Sequence, residues 1–136
     1  MIIYGINLIG VIVAAFLGMA VGMFWYGPLF GKEWMKLVGM TKKDIKAMKK
    51  GMVKTMTTSM LAQLTTAVIT GLLMSITGYK TIAGGIILAS IIWLGYIATT
   101  LVNPVLWEKK PIKLYIINSL HYLVALILMA IVLALV

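Results

Sequence analysis

Four apolar stretches, at roughly 4–27, 55–77, 82–103 and 114–135, take up most of this chain. A bilayer core about 30 Å thick is crossed by about 20 helical residues rising 1.5 Å apiece. Inside lipid each peptide group must find its partner within the protein, so stretches of this length are read as helices. The sequence predicts an all-α polytopic membrane protein, a four-transmembrane-helix bundle forming a single domain over 1–136. Composition agrees: 62% of residues are hydrophobic, 11% are charged, and the mean hydropathy is +1.09, far from soluble averages. The first stretch has no basic segment before it and is too long for a secretory signal, so it is read as a retained span.

The charges set the orientation. All basic residues are lysines. Lys32, Lys36, Lys42, Lys43, Lys46, Lys49, Lys50 and Lys54 lie in or beside the first loop, Lys109, Lys110 and Lys113 in the third, and only Lys80 in the second. The positive-inside rule then puts loops one and three in the cytoplasm and both termini outside, in a multi-pass protein of the plasma membrane. Trp25, Tyr26, Trp34, Trp107 and Tyr115 fall at the inner interface of this frame, Tyr4 and Tyr79 at the outer one, as interfacial aromatic belts do.

Loop one, about 28–54, is the only sizeable segment outside the spans. Gly31 to Val38 can form a short amphipathic interfacial helix that Gly39 ends. Thr41 and Asp44 then have the spacing of a capping box for a second helix. Its Lys42, Lys43, Lys46, Lys49 and Lys50 would lie at the surface and attract anionic lipid headgroups, at about 1 kcal/mol each. Nothing beyond charge suggests nucleic acid, and membrane topology already explains the charge. Gly27-Pro28 is expected to end the first span, with Phe30 and Trp34 anchoring its exit and Gly31 letting the chain bend onto the surface. Gly27-Pro28-Leu29-Phe30 and Asn103-Pro104-Val105-Leu106 suggest two repeated hairpins.

Polar and small residues mark the helix faces. Gly10, Ala14, Gly18 and Gly22 recur every fourth residue, a seam for close packing that Asn7 continues, either within the chain or between protomers. Ser59, Gln63, Thr66 and Thr70 share one face of the second span. The hydroxyls can bond back to their own helix, but Gln63 needs an outside partner. By helical rise Gln63, Tyr96 and His121 lie roughly 12–14 Å deep. They are expected to form a polar layer, extended by Asn118, with Gly18 leaving room beside it. A charged imidazole there would be costly, so His121 is expected neutral.

Catalysis is not expected: no nucleophile and base pair, carboxylate dyad, phosphate loop or metal cluster is discernible. With one histidine, no cysteine and no Asp or Glu in any span, neither a metal nor a cofactor is expected. Two readings remain. In the first, a homo-oligomeric channel or transporter-like protein passes a small neutral solute or an ion along Ser59, Gln63, Thr66, Thr70, Asn118 and His121. In the second, a non-transporting assembly or lipid-associated protein uses the same residues only to pack its helices. A path needs a cavity reaching Gln63 and His121; packing needs both side chains hydrogen-bonded in a dry core.

The run Phe24-Trp25-Tyr26-Gly27-Pro28-Leu29-Phe30-Gly31-Lys32-Glu33-Trp34 crowds aromatic residues, glycine and proline at one interface. With Asn7, Trp93-Leu94-Gly95, Asn103, Trp107-Glu108-Lys109-Lys110-Pro111 and His121-Tyr122, it resembles a family of small four-span membrane proteins catalogued as domain of unknown function 1761. The resemblance implies topology and carries no established activity.

Overall fold

A computed structural model describes residues 1–136. The chain opens with an antiparallel hairpin, β1 (Ile2–Ile3) and β2 (Ile6–Asn7). Its turn holds Tyr4 and Gly5 at φ 51° and 76°, the two left-handed residues that a two-residue hairpin loop takes. The first span therefore starts at Leu8 rather than near residue 4: the early isoleucines are apolar but lie in the hairpin. Asn7 caps the helix, its Oδ1 accepting from the Ile9 amide at 3.0 Å.

Six helices follow: α1 (Leu8–Leu29), α2 (Gly31–Val38), α3 (Lys42–Lys50), α4 (Met52–Thr77), α5 (Ile82–Trp107) and α6 (Ile112–Leu135). α1, α4, α5 and α6 are each long and apolar enough to cross a membrane. α1 and α5 run further than hydropathy suggested, because each includes a wide π-type turn, at Trp25–Leu29 and Trp93–Ala98. Gly27-Pro28 does end the regular helix, as expected: Gly27 leaves helical geometry at φ −108° and ψ −105°, and the chain kinks there before a last short turn to Leu29.

α1 packs along both α4 and α6, and α5 along α6, whereas α4 and α5 scarcely touch. The small-residue seam is used within the chain. Ala14 is fully buried, Gly10 faces Val136 and Leu133, Gly18 faces Gln63 and Met129, and Gly22 faces His121. The tight core sits in the half of the bundle that carries the hairpin. One cluster joins Ile6, Val11, Ala14, Ala15, Ala67 and Met129; another joins Met74, Leu88, Ala89, Leu126 and Ala130. The opposite half is looser, and the polar residues lie there.

That looser half is bounded by loop one. α2 stops at Gly39, in the left-handed region at φ 71°, and α3 starts at the Thr41–Asp44 capping box. Glu33 pairs with Lys113 at 2.9 Å and Trp34 packs edge-on against Tyr26 at 5.4 Å, so α2 is tied to the foot of α6 and the end of α1. Lys42, Lys43, Lys46, Lys49 and Lys50 are all exposed.

Candidate functional site

His121 lies on α6 with 6% of its surface exposed, among the rings of Trp25, Tyr26 and Tyr122 at centroid distances of 6.2, 5.1 and 5.0 Å. Its Nε2 faces Gly22, where an added Cβ would stand 3.5 Å away. Neither ring nitrogen has a hydrogen-bond partner in the protein. Buried polar atoms are nearly always paired, and an unpaired one costs about 1–3 kcal/mol.

The wide turns bring the aromatic residues to this place. A π-type turn adds a residue to the helical circuit, and such turns are frequent at functional sites. From the first turn, Trp25 Nε1 donates to the Ile117 carbonyl at 2.9 Å and the Tyr26 hydroxyl donates to Asn118 Oδ1 at 2.7 Å. From the second, Trp93 Nε1 donates to the Ser119 carbonyl at 2.6 Å. Gly31 matters for closeness rather than for bending: a Cβ there would stand 2.5 Å from the Tyr26 carbonyl oxygen.

Two cavities reach the histidine and a third lies beyond Tyr26. One of about 280 Å³ lies among α4, α5 and α6, lined by Gln63, Thr66, Tyr96, Thr100 and His121 with apolar neighbours. A second of about 410 Å³ lies on the α1 side, against Gly18, Gly22, Ser59, Gln63 and His121. The third, about 450 Å³, lies under α2 and α3 between Trp34, Met48 and Asn118. Tyr122 lines all three, and no Asp, Glu or Lys lines any of them. Met129, fully buried, stands where the first cavity meets the core.

Ser59, Gln63, Thr66, Tyr96 and His121 are thus brought together, Tyr96 at the rim of the first cavity with 77% of its surface exposed. Two expected companions sit differently. Asn118 belongs with Tyr26 and the third cavity, because it accepts the tyrosine hydroxyl. Thr70 is buried and donates to the Thr66 carbonyl at 2.7 Å, away from all three cavities. Asn7 lies at the far end, its Nδ2 donating to the Val136 carbonyl at 3.3 Å. Sequence reasoning missed Tyr122 as a shared wall and Trp93 as an anchor. It also aligned Pro28 with Pro104, whereas the feature common to α1 and α5 is the turn that starts at Trp25-Tyr26-Gly27 and at Trp93-Leu94-Gly95. That Trp-x-Gly recurrence was visible in the sequence.

Fold and site together define a class: small multi-pass membrane proteins in which four helices hold an uncharged, hydrogen-bonding cavity in one half of the bundle. Within it, the chain belongs to the family described as Protein of unknown function (DUF1761), whose model matches residues 9–134. No curated protein and no solved structure matches the chain.

Proposed function

We propose that this protein is a transporter-like membrane protein that takes a small neutral solute into the cavities around Gln63 and His121. The observation that carries the reading is the imidazole with both nitrogens buried and unpartnered beside cavities that Gln63 also lines. Histidine used only to fasten helices would have a partner. The uncharged lining favours a neutral solute over an ion. The lysine-rich face is the cytoplasmic one by the positive-inside rule, so the cavities lie in the inner half of the bundle. The packed core beyond Met129 closes the other half. Passage then requires that half to open, or further copies of the chain to complete a path, and a homo-oligomer fits the second route. The exposed lysines of α3 hold anionic headgroups near the Met48 cavity. No catalytic role is assigned.

Flux assays on proteoliposomes test the reading, with light scattering following the entry of glycerol and dithionite quenching following the transbilayer movement of a fluorescently labelled long-chain alcohol. His121→Ala and Gln63→Ala should each slow uptake about tenfold, the kinetic equivalent of one lost hydrogen bond, with helicity by circular dichroism unchanged. Wild-type uptake no faster than in protein-free vesicles sinks the proposal.

A further inference from the structure

The three cavities in the looser half differ in how they reach the outside. The one under α2 and α3 leads toward the lysine-rich surface, but Tyr26, its hydroxyl fastened to Asn118 at 2.7 Å and its ring edge-on to Trp34, stands between it and the histidine. The one among α4, α5 and α6 has no such barrier. Its two outer helices scarcely touch, and its rim residues Tyr96 and Thr100 are exposed along the length of the α5 span. It opens sideways, toward lipid.

The walls and the polar groups fit a molecule with two unlike ends. Ile97, Leu101, Leu126 and Met129 line one cavity, an apolar surface suited to an alkyl or isoprenoid body. The Thr66 hydroxyl already donates to the Ala62 carbonyl at 3.0 Å, so it offers lone pairs only. Neutral imidazole offers one N–H and one lone pair, and both are unpartnered in His121. A hydroxyl can satisfy either. A carboxylate or phosphate headgroup would need a cation, an ammonium would need an anion, and no Lys, Asp or Glu lines the space.

We infer that the substrate is a neutral, hydroxyl-headed amphiphile that enters sideways from the lysine-rich half of the bilayer, through the gap between α4 and α5, with its hydroxyl on His121. The inference rests on the reading of these cavities as a substrate site. Tyr122, 43% exposed and edge-on to the imidazole, forms the wall beside the head.

The chain's one histidine makes the test selective. The full chain, labelled with ¹⁵N-histidine and held in lipid nanodiscs, is titrated with 1-dodecanol, which partitions into the bilayer, and separately with glycerol. Dodecanol should shift a His121 ring-nitrogen resonance saturably, and glycerol should not. Thr100→Trp, a plug at an exposed rim position, should weaken the dodecanol response about tenfold, with unliganded resonances like those of the wild type; Thr100→Leu serves as the milder plug if the larger one perturbs folding. A response to glycerol alone overturns the amphiphile while the cavity remains a solute site. A dodecanol response undiminished in both plugged variants overturns the sideways route. No response to either probe overturns this inference and the proposed function together.

Discussion

Adding a methyl group at Gly18 tests whether the small-residue seam exists to make room for Gln63. The methyl would overlap Gln63 Oε1 and Met129 Cε, with Gln63 Cδ 3.1 Å away. Both are ends of flexible side chains beside free space: Met129 borders the first cavity and Gln63 borders two, so each can turn aside by giving up its present packing. Overpacking costs about 1–3 kcal/mol, and replacing glycine by alanine inside a helix returns up to about 1 kcal/mol. The net destabilisation expected for Gly18→Ala is about 1 kcal/mol. Removing the amide first should relieve part of it, giving a coupling between Gly18→Ala and Gln63→Ala of about 0.5–1 kcal/mol. Gly22→Ala is the control: its methyl would meet His121 Nε2 at 3.5 Å, an ordinary contact, so it should be neutral or slightly stabilising. Unfolding by sodium dodecyl sulfate in mixed micelles, followed by fluorescence of the four tryptophans, gives the free energies. Additive effects of Gly18→Ala and Gln63→Ala, or a larger loss for Gly22→Ala than for Gly18→Ala, would refute the reasoning.

Gly31→Ala should be worse than Gly18→Ala, about 2–3 kcal/mol in the same unfolding assay, because its methyl meets the Tyr26 carbonyl, a backbone atom that cannot swing away. Trp25→Phe and Trp93→Phe each remove an indole donor to α6 and should each cost about 1 kcal/mol; their double variant, read in the same assay, should depart from additivity because the acceptors share one turn. Acid should loosen loop one before the spans. The Thr41 amide and hydroxyl hold the Asp44 carboxyl below the usual aspartate value, and hydrogen bonding and charge from Lys113 do the same for Glu33. Groups with lowered folded values stabilise above their unfolded values, about pH 4, and lose that contribution as pH falls through the folded ones. Amide exchange over residues 31–50 should therefore rise below about pH 4 while the exchange of α4 and α6 holds.

The spans and the loop-one helices were legible because each depends on local pattern: apolar length, the Gly39 stop, and the Thr41–Asp44 capping box. That Gln63 and His121 meet was also legible, since helical rise puts them at one level of the bundle, and they line the same two cavities. Rotation about the helix axis was not. Asn118 and His121 lie three residues apart on α6, yet the Tyr26 hydroxyl draws one to the third cavity while the other faces Gly22. The exposure of Tyr96 at the rim was hidden for a related reason, because the wide turn at Trp93–Ala98 breaks the regular phase of α5. The hairpin at the start was hidden by its isoleucines, whose hydropathy alone cannot tell a strand from a span.

The contacts near His121 bear on whether its lack of a partner is incidental. Trp25 and Tyr26 both pack against the imidazole, and each carries a hydrogen-bond donor. Either could in principle have been aimed at the ring. Instead the indole donates to the Ile117 carbonyl, which as a helix carbonyl has little need of a second donor, and the phenol goes to Asn118. Trp93 adds another indole to a nearby carbonyl of the same helix. These bonds fix α6 on either side of the histidine while leaving the histidine out. A bundle that used its polar residues only for cohesion would gain more by closing the imidazole into the network, since an unpaired buried group costs more than an extra bond to a satisfied carbonyl returns. The arrangement is the one expected when the group left free is the group that must be available.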